Sequence, residues 1–334
     1  MNLIVSNLKD SFKMLGKEQE LFIASDSGVY KVTSDSCHDL TRFLSNDHEE
    51  ADTLMFALCF KLNFKECIIK STDSDVLCVA CINQNMISSK GIRVLIQSNP
   101  LGSELKYIDM NLLFKFFDGD KDVNLSVLIQ RSIPLGVVYG IIHFLSGCDY
   151  LPHLRVFTKK ACCDAVIKFG TDIFPAEVQN EDLRQWKDEH VKLIALNFHL
   201  ALYYSKYRQC FATTDVMEFC RNEDQLENIV SNIRKKTWHK TLTQCCNIPS
   251  PESLNLASLR FLYVFRTMSR ATDLKINELD IYQYGWKKCQ VSDQPVPVWD
   301  SIENEKKVDL LLKSTLAKCG CKKSMCKTKK MQLC

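Results

Sequence analysis

At 334 residues with 46% hydrophobic content, the chain is long enough to bury one large core or two ordinary ones, and its composition is that of a globular protein, which excludes a disordered one. No apolar run approaches the roughly 20 residues a membrane span needs, and residues 1–20 are too polar for a secretory leader. The net charge of +3 at pH 7 is too small to carry nucleic-acid binding by itself, so such a function has to come from where the charge lies.

The 17 cysteines are spread through apolar segments, among them Cys59, Cys67, Cys78, Cys81, Cys162 and Cys163, where free thiols act as small hydrophobes. They predict reduced core residues, and the lack of a membrane span or leader sequence predicts an intracellular protein, nuclear ahead of cytoplasmic. Residues 21–33 read as two short strands around a Ser25-Asp26-Ser27-Gly28 turn. Asn46-Asp47-His48 then precedes Glu49-Glu50-Ala51-Asp52-Thr53, with capping residues and first-turn acids ahead of an apolar run, the pattern of a helix start. Taken alone, those acids need do no more than complement the helix dipole.

The next run, Cys67 to Lys70, predicts a strand that leads straight into Ser71-Thr72-Asp73-Ser74-Asp75. In extended backbone Asp73 and Asp75 project to one side about 7 Å apart. At the carboxyl end of a sheet strand such a pair suits a hard cation such as Mg²⁺, although an Asp-rich turn closing the strand is an equal description of the same residues. Val76 to Ile82 is apolar throughout and reads as a strand buried on both sides, and the strands around Asn99-Pro100-Leu101-Gly102 read as a hairpin that extends the sheet.

Asp109 to Phe117 has helical spacing, and Asp118 to Asp122 is a polar surface turn. Pro134 opens a strongly apolar helix that Gly147 ends, with Asp149 directly after it. Lys159 to Phe169 is amphipathic with a basic leading end, and Asp164 is expected to face water. From about 180 to 270 helical stretches follow one another without a strand signal; the aromatic run Phe198, Tyr203, Tyr204, Tyr207 is expected to pack rather than to stack on bases. His143, His190 and His239 stand alone and carry no assigned role. Pro295, Pro297 and Trp299 mark an extended segment after Gly285-Trp286.

Three acidic stations in order, Glu50-Ala51-Asp52, Asp73-Ser74-Asp75 and Gly147-Cys148-Asp149-Tyr150, resemble the PIN-like and flap-endonuclease superfamily. The motifs His48 to Thr53, Asp73 to Val76, Ser146 to Asp149, Gly285-Trp286 and Pro297-Val298-Trp299, followed by a Cys-rich tail, are similar to a group of multicopy animal proteins found in mobile-element contexts. The resemblance implies an α/β fold, a central mostly parallel sheet flanked by helices, over residues 20–175 and lacking its N-terminal strand. A helical subdomain over 176–284 and an extended Trp/Pro segment with a Cys/Lys-rich tail over 285–334 would follow.

It further implies a Mg²⁺- or Mn²⁺-dependent nuclease. Asp73, Asp75 and Asp149 would be the direct ligands and Glu50 and Asp52 the ligands of a second ion, while Glu49 sits one position off. Asp26 is the sole candidate for the superfamily's earliest acids. Arg155, Lys159 and Lys160 fall where the superfamily grips duplex backbone, but Val156 and Thr158 replace its glycines, which puts close approach to a phosphate in doubt. The alternatives are a catalytically degenerate copy that binds nucleic acid or protein, and an unrelated α/β protein. Cys319, Cys321, Cys326 and Cys334, interleaved with lysines, fit thiolate ligation of one Zn²⁺, or else a basic tail with incidental cysteines.

Overall fold

The computed structural model describes residues 20–25, 28–33, 35–44, 47–48, 50–62, 64–71, 73–97, 106–119, 122–154, 157–179, 182–208, 226–237, 248–276 and 279–299. Strands β1 (Leu21–Ser25) and β2 (Gly28–Val32) pair antiparallel with Ser25 opposite Gly28, and β3 (Cys37–Asp39) adds to β2. Helix α1 (Ala51–Lys61) buries Thr53, Phe56, Ala57 and Phe60, spaced three and four apart, so one stripe faces the core.

Strand β4 (Glu66–Lys70) follows, and the chain then departs from the sequence reading. Asp73 and Asp75 do not continue the strand. Asp73 caps helix α2 (Ser74–Ile82), its carboxylate accepting from the Asp75 amide at 2.8 Å, and the run expected as a buried strand is that helix. The reason is packing on every side: Val76 and Cys78 through Ile82 are all buried, and an all-apolar helix of two and a half turns has the composition of a core strand.

Helix α3 (Gln84–Lys90) leads to β5 (Arg93–Gln97), parallel to β4, and β6 (Tyr107–Asp109) pairs antiparallel with β5. The hairpin partners are therefore as expected, while its turn, 98–105, lies outside the described residues. The fold is α/β, but among the described residues the sheet carrying β4 has three strands, with one parallel and one antiparallel pairing. Asp109 caps α4 (Met110–Asp118), and α5 (Val123–Gln130) precedes α6 (Leu135–Leu145).

Helices α2 and α6 lie against each other in opposite directions. A Cβ on Gly140 of α6 would stand 2.7 Å from Ile82 and 3.0 Å from the Cys78 carbonyl. Only hydrogen at that position lets the helices close. Gly147 ends the α6 segment at φ +122, with no room for a side chain beside His153.

The rest is helical as expected: α7 (Lys159–Ile173), α8 (Asp188–Tyr207), α9 (Leu226–Thr237) and α10 (Pro251–Met268), the last capped by Ser250 with proline in its first turn. Asp164 is exposed. Phe198, Tyr203, Tyr204 and Tyr207 are buried, so the aromatic run does pack. Strands β7 (Trp286–Lys288) and β8 (Pro295–Pro297) form an antiparallel pair. The Gly-Trp and Pro-Val-Trp motifs meet there: the buried Arg260 guanidinium lies 5.7 Å from the Trp286 ring and 5.5 Å from that of Trp299, donating to the carbonyls of Gly285 and Val298. No helix among the described residues is long and apolar enough to cross a membrane.

Candidate metal centre

The first station is a helix start held from behind. His48 meets the Thr53 hydroxyl through Nδ1 at 2.8 Å and the Asp273 carbonyl through Nε2 at 2.7 Å. A carbonyl can only accept, so the ring proton sits on Nε2, and burial, which lowers the His48 pKa, keeps the ring neutral. With His48 and Thr53 turned inward, Glu50 at the N-cap position is exposed and Asp52 in the first turn is half-buried. Glu49 and Asp26 lie outside the described residues.

The second station is the α2 N-terminus. Asp73 is exposed and Asp75 partly covered. Asp75 Oδ1 lies 2.6 Å from His143 Nε2, and His143 Nδ1 lies 2.8 Å from Lys159 Nζ. His143, to which the sequence assigned nothing, thus joins α6 to both the acids and the start of α7. The signal was faint but present: a lone histidine on an otherwise apolar helix, six residues before Asp149, is a polar group that needs partners.

The third station is a tight turn after Gly147. Cys148 and Leu151 exchange backbone hydrogen bonds at 3.0 and 3.1 Å, which puts Asp149 and Tyr150 at the corner. Asp149 is exposed, and the Tyr150 hydroxyl donates to Glu50 Oε1 at 2.9 Å, tying this turn to the start of α1.

These stations share one field. Burial, and then the charges of Asp73, Asp75, Glu50 and Asp149, raise the Asp52 carboxyl to about 6. Asp75 and Asp149 both bear on the Cys148 thiol, which burial above all pushes up to about 11. Asp73, Asp75 and Lys159 all bear on Cys78. Of the five acids expected to converge, Glu50, Asp73, Asp75 and Asp149 all act on the fifth, Asp52.

Among the described residues, however, no three histidine, cysteine or carboxylate groups are close enough to grip one ion together. Asp73 and Asp75 are engaged in a helix cap and a histidine pair, which spreads the ligands. The donor set, carboxylate oxygens with net negative charge, still fits a hard divalent cation, because Mg²⁺ keeps several waters and takes only one or two carboxylates directly. Of the basic residues, Lys160 is exposed at the start of α7, Lys159 is turned onto His143, and Arg155 lies outside the described residues, as do Cys319, Cys321, Cys326 and Cys334. No protein-family model, no curated protein and no solved structure matches the chain.

Proposed function

We propose that the chain is a divalent-metal-dependent nuclease of the PIN-like type that hydrolyses phosphodiester bonds of nucleic acid. One observation carries the reading: beside the burial that raises it most, the half-buried Asp52 carboxyl bears the charges of Asp73, Asp75, Glu50 and Asp149, so that acids from three separate stretches of chain meet there. Such crowding is costly without a cation to share it. Two Mg²⁺ or Mn²⁺ ions would polarise the scissile phosphate and lower the pKa of the attacking water. Asp73, Asp75 and Asp149 would hold them directly, with Glu50 and Asp52 serving the second.

Lys160 and Arg155, with Lys159 at the rim of the acids, would bind backbone phosphate, which gives affinity without sequence preference. The proposal extends to a nuclear setting and to a tail that holds one Zn²⁺ through Cys319, Cys321, Cys326 and Cys334, whose lysines add salt-sensitive attraction to nucleic acid.

A second reading is favoured by the spread ligands: a degenerate, mobile-element-derived copy that binds nucleic acid or protein and does not cut. Incubating the full chain with single-stranded, flapped and duplex DNA and RNA in Mn²⁺ separates the two. The nuclease reading expects cleavage that falls by on the order of 10²-fold or more in Asp75→Asn and Asp149→Asn, the scale of losing one electrostatic group at a reacting centre. Binding without cleavage by the unaltered chain would establish the second reading, and neither binding nor cleavage would retire both.

A further inference from the structure

The partner of His143 on α2 fixes where its proton sits. A carboxylate only accepts, so Nε2, 2.6 Å from Asp75 Oδ1, carries the ring proton and donates it there. Lys159 Nζ lies against the same ring, 2.8 Å from Nδ1 and 3.4 Å from Nε2. The His143 ring thus joins the Lys159 ammonium to the Asp75 carboxylate. The His143–Asp75 pair is little open to water, the His143 side chain being 10% exposed and that of Asp75 21%, while Lys159 is exposed.

The geometry has a second, independent source in the backbone. Helices α2 and α6 close on the bare α-carbon of Gly140, which faces Cys78 and Ile82. One turn further along each helix, Asp75 stands opposite His143. The Asp75 amide is meanwhile held by the Asp73 carboxylate at 2.8 Å. Main chain and side chain of Asp75 are therefore fixed by different partners, and a carboxylate that could otherwise swing about its side-chain torsions is restrained to one orientation.

We infer that His143 is a positioning residue of the acidic cluster: it holds Asp75 by Oδ1, leaving Oδ2 for a divalent cation, and its ring keeps the Lys159 ammonium at the cluster's rim. Carboxylate ligands are held by such outer hydrogen bonds because an ion binds best to oxygens already in place, and losing the outer partner typically costs 10- to 100-fold in affinity. The inference rests on the proposed divalent-cation site and adds the group that orients one of its ligands.

The test is Mn²⁺ binding by calorimetry on the full chain, which needs no turnover, with thermal melts alongside to check folding. His143→Leu is expected to weaken Mn²⁺ by about tenfold or more. His143→Gln keeps an N–H at the reach of Nε2 and is expected to stay within roughly threefold of the unaltered chain, whereas His143→Asn, whose amide reaches only to the Nδ1 position, is expected to behave like the leucine variant. In an Asp75→Asn background, His143→Leu is expected to add nothing, since its effect passes through Asp75.

Equal Mn²⁺ binding by the unaltered chain and His143→Leu would overturn the inference and leave the cation site standing. An undiminished effect of His143→Leu in the Asp75→Asn background would overturn it too. Should the leucine variant not fold, the contrast between glutamine and asparagine decides: equal affinities would overturn the inference. No Mn²⁺ binding by the unaltered chain at millimolar concentration would remove the cation site itself, a separate outcome.

Discussion

Asp52 bears the cost of burial and then of its neighbours' charges, and that cost has a sign. Its carboxyl titrates near 6 in the fold and near 3.8 when free of it, so the metal-free folded state binds the proton more tightly than the unfolded chain does. The stabilisation from that proton is complete below about 4 and is lost as pH rises through about 6. Asp52→Asn in metal-free protein is therefore expected to raise the melting temperature at pH 7 and to have little effect at pH 4. Melts of both proteins across that range check it, and an equal gain at both pH values would mean that charge is not the cause. The difference between the two proteins also removes the opposite trend from His48, whose pKa burial lowers and whose contribution is lost as pH falls. Among single residues the acids were legible because each stands at an edge of an apolar run, Glu50 and Asp52 ahead of one and Asp73, Asp75 and Asp149 after one. His143 was legible only as a polar group on an apolar helix that needs partners; which partners was not, since they come from α2 and α7.

Among elements, the misreading of α2 follows from the same physics as its place in the fold. Periodicity marks a helix only when one face meets water, and α2 has no such face over Cys78 to Ile82. The flanking strand and the apolar α6 were legible because β4 ends in a polar run and Pro134 and Gly147 punctuate the helix. Gly140 is where this packing can be tested. A Gly140→Val substitution drives carbon into Ile82 and the Cys78 carbonyl, and overpacking of this kind costs about 1–3 kcal/mol. It is expected to lower the melting temperature and, by spreading α2 from α6, to weaken Mn²⁺ binding as His143→Leu does. A melt unchanged from the parent protein would show that the helices are not held this closely.

At the scale of the whole molecule, the apolar core runs without interruption from α1 to Trp286, so the helical part and the α/β part stabilise each other. The sequence reading did not show this joint, because its contacts pair residues far apart in the chain: Asn83 donates to the Met268 carbonyl, and the Tyr150 and Tyr263 rings meet with centroids 5.9 Å apart. Arg260 between its two tryptophans was hidden for the same reason. The tail belongs to this scale as well. Four-thiolate zinc sites hold the ion tightly, so protein covering residues 285–334 and purified without chelator is expected to carry close to one equivalent of zinc by elemental analysis, and less than about half would remove the site.

The anchoring of α1 has a consequence for the order of events as the chain is made. Its start is pinned by His48 on Asp273, 225 residues away, and by Asp47 accepting from the Ile276 amide across 229 residues. Contacts of such separation form late, after the entropy of closing a long loop has been met. On a ribosome, Asp273 and Ile276 emerge only after the more than 220 residues that separate them from the start of α1. Until then Glu50 and Asp52 lack the backing that Asp47 and His48 give the helix start, so the acidic cluster stays unassembled while that length of chain is made, close as the growing protein is to the messenger RNA that encodes it.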